Sequence, residues 1–280
     1  MLPSMAVPST YIKEGFSRNV DFNITYDPNI SKAWRSKDKL DDTVASMSFG
    51  AAYSNLVGDA GLLIISGYLG YQDHQSYDDI NLLSATLSGR YYMQFESGYL
   101  APTYHVGLDI RSLHFANSDS RNGEMATFTL GVSKRINMSF LTSVSYQFNQ
   151  RSAENKTYET KDNDVNFGIE YPISSKSTFY TDVEFSFGDH LSSAAGANSK
   201  FSKEIDAETF VIDPVYACAN PCDYSTYRFD GDGISTTIGV VFTLSHNINL
   251  DLSARMYDWE SETGIGSRDW AGNLGIIWQF

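Results

Sequence analysis

The sequence predicts an all-β fold, a transmembrane antiparallel up-and-down β-barrel of about twelve strands. Three observations predict it. Apolar and polar residues alternate over roughly ten positions, again and again along the chain, which is typical of a strand with two unlike faces. Aromatic residues reach 14% while charged residues are only 19% of the 280 residues, an unusual balance for a soluble domain. The longest aliphatic stretch, Leu62 to Ile65, is far below the ~20 apolar residues that a membrane-spanning helix needs.

Twelve alternating runs follow one another. The first places Val20, Phe22 and Ile24 on one face and Asp21 and Asn23 on the other. The runs lie near residues 20–26, 45–54, 62–72, 83–91, 104–111, 127–133, 140–148, 165–171, 179–187, 234–244, 248–256 and 270–280. Lengths of this order match the ~9–11 residues with which a tilted strand crosses a bilayer.

The connections predict the orientation, because bacterial barrels alternate short periplasmic turns with long extracellular loops. Short links fall near 55–59, 94–98, 135–137, 174–176 and 245–247, and longer polar ones lie between them. We therefore expect a periplasmic N-terminal segment at 1–17 and one barrel domain at 18–280. The segment 189–232 is expected to be a long extracellular loop that either constricts the lumen or forms a mobile surface loop.

The last run carries the resemblance to a family. It reads Trp-Ala-Gly-Asn-Leu-Gly-Ile-Ile-Trp-Gln-Phe from Trp270 to Phe280, with apolar residues at alternate positions and a terminal aromatic. This resembles the C-terminal strand of Gram-negative outer-membrane β-barrel proteins, including porins. The resemblance implies location in the bacterial outer membrane and an assembly signal at Trp278 and Phe280 that the barrel-assembly machinery reads. It also implies contact with outer-membrane lipid and lipopolysaccharide.

A soluble β-sandwich or lipocalin-like barrel is the alternative architecture, with the apolar face turned inward. Twelve long strands with Phe and Leu inside would overfill such a core, whereas Ser, Thr, Gly and Asn suit a wet lumen. Whether the apolar side of the sheet faces outward or inward therefore decides between the two architectures.

Two cysteines, Cys218 and Cys222, stand in the sequence Cys-Ala-Asn-Pro-Cys within the long connection. Export to an oxidising compartment would favour a disulfide between them. Free thiols, or two ligands of an incomplete metal site, are the alternatives.

Several polar residues are expected to face the lumen, on the side of each strand opposite to its apolar residues. These pore-lining candidates are Arg90, His105, Asp109, Arg111, Glu170, Tyr180, Asp182, Glu184, Asp251 and Arg255. Strands five and eleven stand opposite each other in a ring of twelve, so Asp109 and Arg111 would look across at Asp251 and Arg255. Such charges either set a transverse field in a narrow pore or pair into salt bridges that hold the barrel shut.

The formal charge of −14 argues against nucleic acid as a partner, because phosphate binding needs clustered Lys and Arg. No phosphate-binding loop, metal cluster or dinucleotide fingerprint occurs, so we expect no cofactor, no metal and no catalytic residue. The barrel proteases and the barrel phospholipase also resemble twelve-stranded barrels. A Ser stands two positions from His74, His114 and His190, which is the spacing of the phospholipase pair, but all three pairs lie outside the twelve alternating runs. We therefore expect a non-enzymatic, porin-like channel for passive diffusion of small hydrophilic solutes. The alternatives are an export conduit for polysaccharide or polypeptide, and a structural or adhesive barrel with a plugged lumen.

Overall fold

The computed structural model describes residues 14–58, 60–195, 199–216 and 224–280, with backbone only at 199–201. Its strands form one closed antiparallel sheet. The strands are β1 (Gly15–Asp27), β2 (Asp42–Val57), β3 (Gly61–His74), β4 (Leu82–Met93), β5 (Thr103–Phe115), β6 (Gly123–Arg135), β7 (Leu141–Ala153), β8 (Thr160–Ser174), β9 (Ser177–Ala195), β10 (Thr209–Ile212), β11 (Tyr224–Thr243), β12 (Ile248–Ser261) and β13 (Gly266–Gln279).

Twelve of these strands make the barrel, and β10 is a short extra strand paired to the outer part of β11. Neighbours in the chain pair as hairpins, β9 pairs with β11, and β1 pairs with β13 to close the ring. The predicted fold class and strand number are confirmed. A closed sheet satisfies the backbone groups of every strand, which a chain in hydrocarbon requires.

The exterior of the barrel is apolar. Outward residues such as Leu69, Leu87, Phe185 and Leu274 are 37–60% exposed although they lie in the middle of strands. The side chains between them are mostly small or polar, and Ser48, Ser66 and Ser88 are buried. The soluble alternative is therefore wrong, because the greasy face of the sheet points outward.

Aromatic residues gather at both ends of this exterior. Tyr26 and Trp270 lie with ring centroids 5.9 Å apart at one end. Phe140 and Tyr171 lie 4.9 Å apart at the other end. Two such girdles are typical of barrels whose aromatic residues sit at the two membrane interfaces.

The connections differ from the prediction in two respects. The periplasmic link 94–102 is longer than predicted and also longer than the extracellular link 75–81. The two sets of connections therefore differ less in length than the sequence predicts. The segment 189–232 is not a loop throughout, because β9 continues to Ala195 and β11 begins at Tyr224. Both strands extend past the apolar belt. Between them lie the helix α1 (Ser199–Glu204), β10 and a 3-10 turn (Pro214–Tyr216).

The hydrophobic core does not lie inside the barrel. Among the described residues, every buried apolar side chain except Leu113 and Ile277 belongs to one end of the molecule, which we term the cap. The cap consists of the connections 28–41, 75–81, 116–122, 154–159 and 262–265, the segment 199–216, and the outer ends of β9, β11 and β12. Because its loops are the longer set, we treat this end as extracellular.

Candidate functional site: lumen and cap

All ten predicted pore-lining residues lie on the inner face of the barrel. The register shows this directly, since Asp109 pairs with Ser88 and Glu184 with Ser235, while the exposed apolar residues occupy the alternate positions. Tyr180 on β9 also reaches Asp251 on β12, with its hydroxyl 3.0 Å from Oδ1, across the intervening β11. Side chains two strands apart meet only on the concave side of a curved sheet. Whether these residues line a conducting pore remains a prediction.

The three arginines among these lumen residues find partners on their own side of the ring. Arg90 Nη2 lies 3.4 Å from Asp109 Oδ2 on the neighbouring strand. Arg255 Nη2 donates to Glu184 Oε1 over 2.8 Å and also contacts Ser235 Oγ. The Nε atom of Arg111 donates to Thr86 Oγ1 over 3.1 Å. The paired charges thus run along the wall, and the expected facing arrangement of β5 and β12 gives no contact across the lumen among these residues.

His105 has an environment that the sequence did not indicate. Its imidazole lies 5.5 Å, centroid to centroid, from the ring of Tyr92 on the neighbouring strand. The Cβ of a side chain at Gly131 would come within 2.3 Å of His105 Cε1, so the glycine makes room for the imidazole. Packing against two neighbouring strands fixes this ring against the wall.

The cap extends across the full mouth of the barrel. Tyr77, between β3 and β4, packs edge-on against Tyr216, between β9 and β11, with ring centroids 5.4 Å apart. In the ring order, β4 and β11 are six places apart, which is diametrically opposite in a ring of twelve. The segment that ends in Tyr216 therefore crosses the mouth. It forms neither a constriction at mid-height nor a free surface loop.

An aromatic cluster holds the cap together. Tyr227 and Phe229 are fully buried, and the Phe229 ring lies 4.9 Å from that of Trp259. Ala194 and Ile205 complete the buried cluster. Burying an aromatic side chain removes 150–250 Å² from water, so this cluster supplies much of the stability of the closed cap.

A polar network crosses the same layer. Arg121, between β5 and β6, forms an ion pair with the buried Asp213 of the 199–216 segment. Tyr158 donates to Asp213 Oδ2 over 3.0 Å, and Thr226 donates to the same oxygen over 2.7 Å. Burial raises the pKa of Tyr158 to about 12. The hydroxyl therefore stays protonated at neutral pH and serves as a donor to the carboxylate.

The connection 28–41, which we term the strap, ties the cap to the barrel rim. Lys32 Nζ lies 2.5 Å from Asp27 Oδ2 and 2.7 Å from the hydroxyl of Tyr257. Asn29 Nδ2 and Lys39 Nζ both bind Asp269, each over 2.7 Å. Two adjacent rim carboxylates, Asp27 on β1 and Asp269 on β13, therefore hold one side of the strap.

The other side of the strap binds the outer end of β9. The backbone N–H of Ser193 donates to the carbonyl of Ser31 over 2.8 Å. Arg35 Nη2 donates to the carbonyl of Ala195 over 2.7 Å. Between these anchors, Lys32 adopts a left-handed backbone with φ of 53°, which is uncommon for a residue with a side chain. The strap is thus fixed at both sides of the mouth.

A His–Asp pair at the rim was missed by the sequence analysis. His74 Nδ1 lies 2.9 Å from Asp42 Oδ2, and the N–H of Ser76 donates to the other carboxylate oxygen over 3.0 Å. Nucleophilic catalysis would also need a hydroxyl bonded to the second imidazole nitrogen. Among the described residues, no hydroxyl makes such a hydrogen bond to His74. The pair anchors the end of β3 to the start of β2.

The predicted cysteine pair Cys218 and Cys222 lies outside the described residues, so the disulfide stays a prediction. The backbone of Phe280, one of the two assembly-signal residues, exchanges hydrogen bonds of 3.0 and 3.1 Å with Arg18 and closes the ring. Trp278 packs against Phe280 with ring centroids 5.2 Å apart. The recognition of these residues by an assembly machinery also stays a prediction.

Three features bear on membrane, metal and ligand chemistry. No helix in the described ranges is long and apolar enough to cross a membrane. No group of three or more His, Cys, Asp or Glu side chains in those ranges could hold a metal ion. The lumen instead presents fixed charges and hydroxyl groups, which act on a passing solute through electrostatics and hydrogen bonding.

Comparisons with known proteins find the fold but no close relative. No family model and no curated sequence matches the chain. The crystal structure of an outer membrane channel from Pseudomonas putida F1 aligns over 96% of this chain and 97% of its own, with a TM-score of 0.63 and 7% identity. The KdgM porin (TM-score 0.48, 10% identity, 94% and 99% of the two chains) and the NanC porin (0.49, 9%, 92% and 98%) overlap less well. The chain has the closed twelve-strand fold of outer-membrane β-barrels.

Proposed function

We propose that the protein is a gated channel of the bacterial outer membrane for small hydrophilic solutes. The observation that supports it best is the contrast between the two faces of the sheet, an apolar exterior and an inner wall of charged and hydroxylic side chains. A wall of this kind suits water and polar solutes. The similar fold of the Pseudomonas putida outer membrane channel adds support for a channel. Outer-membrane lipid, lipopolysaccharide and the barrel-assembly machinery belong to the proposal as partners.

The closed cap makes gating part of the proposal. Segments from opposite sides of the ring meet over the mouth, so solutes pass only when the cap moves. Three buried donors of the cap, Trp259 Nε1, Arg121 Nε and Ser225 Oγ, have no hydrogen-bond partner among the described residues. Each such group costs about 1–3 kcal/mol. An open cap would hydrate them, which narrows the free-energy gap between the closed and open states.

The strap is the part whose release opens the mouth in this proposal. Its attachment to the rim on the β1 and β13 side depends on Asp27 and Asp269, which accept from Lys32, Asn29 and Lys39. These contacts are polar and lie at the rim, so the strap can exchange them for water. The strap also packs Trp34 against Tyr227 of the aromatic cluster, with ring centroids 6.0 Å apart, so its release opens one side of that cluster to water.

The plugged scaffold is the second candidate, because the same cap packing favours a mouth that never opens. An enzymatic barrel is a weaker candidate, since catalysis needs a hydroxyl or water held by the His74–Asp42 pair. Assays for lipid and peptide hydrolysis test it, and cleavage that is lost in His74→Gln would replace the channel by an enzyme.

Single-channel recording in planar bilayers tests the proposal. We expect the purified protein to show brief conductance steps, and the double variant Asp27→Asn/Asp269→Asn to stay open longer because the strap loses both rim anchors. A matched control is Asp258→Asn, on the outward face of β12, which should leave open times unchanged. If neither the parent protein nor the strap variant shows conductance, the result would contradict the proposed channel function and support the plugged scaffold.

A further inference from the structure

The inner wall formed by β8 and β9 carries one carboxylate at each of five successive levels. The register pairs Asp162 with Gly188, Asp164 with Ser186, Asn166 with Glu184, Gly168 with Asp182, and Glu170 with Tyr180. All of these positions face the lumen. Both strands contribute, so the five carboxylates form one continuous series that we term the carboxylate ladder: Asp162, Asp164, Glu184, Asp182 and Glu170.

The ladder runs from the outer rim into the membrane-spanning part of the barrel. Successive levels are two residues apart, about 6.6 Å along the strand. Four such steps on strands tilted by roughly 40° cover about 20 Å of height, from Asp162, which lies between the outward-facing Lys161 and Asn163, to Glu170 in the apolar part of β8. A solute that crosses the barrel therefore passes within reach of acid from the rim to the level of Glu170.

Few cations neutralise the ladder. Among the described residues, its one ion pair is that of Glu184 with Arg255. Asp162 and Asp164 share a neutral donor, since Asn149 Nδ2 lies 2.7 Å from an oxygen of each. No hydrogen bond or ion pair of Asp182 or Glu170 occurs within the described ranges; Arg135, near Glu170, lies at the periplasmic end of β6.

The opposite wall carries no charge at the height of the belt. β2 and β3 stand six places from β8 and β9 in the ring. Their inward residues at this height are small, amide, hydroxylic or apolar, and include Ser48, Gly50, Ser66, Tyr68 and Ile64. The field in the lumen is therefore asymmetric: the ladder faces the neutral wall of β2 and β3, beside which Arg90 and Arg111 lie on β4 and β5.

We propose that the carboxylate ladder makes the channel cation-selective and that its solutes are small organic amines. The inference rests on the proposed channel function and names its substrate class. Fixed carboxylates in a narrow pore attract cations and repel anions. Among the described residues, no three of these carboxylates come together to hold one metal ion, whose oxygen ligands must lie within about 2.6 Å of it. Ammonium groups can pass from one carboxylate to the next while their hydrocarbon faces Tyr68 and Ile64.

Reversal potentials in a potassium chloride gradient test the selectivity. We expect the parent channel to favour potassium over chloride several-fold. The double variant Asp182→Asn/Glu170→Gln, which removes two ladder charges without a salt-bridge partner, should reduce this ratio towards one. Arg255→Gln removes the one cation paired to the ladder, so it should increase the ratio. The control Asp258→Asn/Glu260→Gln deletes two charges on the outward face of β12 and should leave the ratio unchanged.

Replacing potassium chloride by putrescine dihydrochloride tests the solute class. Current carried by putrescine in the parent channel, and reduced in Asp182→Asn/Glu170→Gln, supports the inference. Potassium selectivity without putrescine current would overturn the amine assignment. Conducting channels that favour chloride, or whose selectivity is the same in all variants, would overturn the ladder's role. Absence of any conductance would instead refute the proposed channel function, so the two failures are distinguishable.

Discussion

The barrel wall and the cap bury apolar residues in opposite ways. In the wall, Leu87 and Phe185 point outward and stay exposed, while serines occupy the buried positions. In the cap, Tyr227 and Phe229 are fully buried, as in a soluble protein. The two regions of the chain therefore fit different surroundings, with lipid around the wall and water around the cap. This difference shows that burial alone does not identify a core without knowledge of the surrounding medium.

Truncating an aromatic residue should separate the two regions most clearly. Phe229→Ala should cost the cap about 3–5 kcal/mol, because a rigid surrounding leaves a cavity. Phe185→Ala in the wall should cost less, since lipid chains fill the space that the ring leaves. Protease sensitivity of the loops reports on the cap, and denaturant unfolding from vesicles reports on the barrel. Equal effects of the two variants on both measurements would show that the cap and the wall do not differ in this way.

Introducing a charge should destabilise the barrel more on the lipid-facing side of the wall than on the lumen-facing side. Leu87→Arg places a guanidinium in lipid near mid-strand and should destabilise the barrel by about 2–4 kcal/mol. Gln147→Arg faces the lumen, where its register partner is Asp164, and should cost little. Unfolding in lipid vesicles measures both. A larger loss for Gln147→Arg would mean that the lumen is dry.

An exposed ion pair on the outer rim should matter least. Arg268 Nη2 lies 2.6 Å from Asp258 Oδ2, and the arginine side chain is 71% exposed. Such pairs contribute about 0–1 kcal/mol. Arg268→Ala should therefore shift the unfolding midpoint slightly, by an amount that decreases further in high salt. A loss of several kcal/mol would show that this rim position belongs to the cap.

The wall could be predicted from the sequence because alternation with a period of two is a local signal. Each run shows its two faces without reference to any other strand. The outer ends of β9 and β11 were predicted as loop because they contain Gly188, Asp189 and Asp230 to Gly233, residues typical of turns. Pairing between the two strands outweighs that local preference.

The cap and the ladder could not be predicted because both depend on contacts between distant segments. Phe229 and Trp259 stand among polar residues and show no periodicity. Asp162 and Asp164 precede the alternating run 165–171, so the alternation does not place either of them in the lumen. Their alignment with Asp182 and Glu184 follows from the register between β8 and β9. That register is fixed by the hairpin that joins the two strands, not by the alternation within either strand.

The pairing of β1 with β13 has a consequence for how the molecule assembles. The other neighbouring barrel strands, including β9 and β11, are hairpins or close in sequence, whereas this seam joins residues 15–27 to residues 266–279. Contacts of such large sequence separation carry the greatest loop-closure cost and form slowly. Until the seam forms, two strand edges present unpaired amides and carbonyls that hydrocarbon cannot solvate. Completion of the cylinder, more than any hairpin, is therefore expected to limit the rate of insertion.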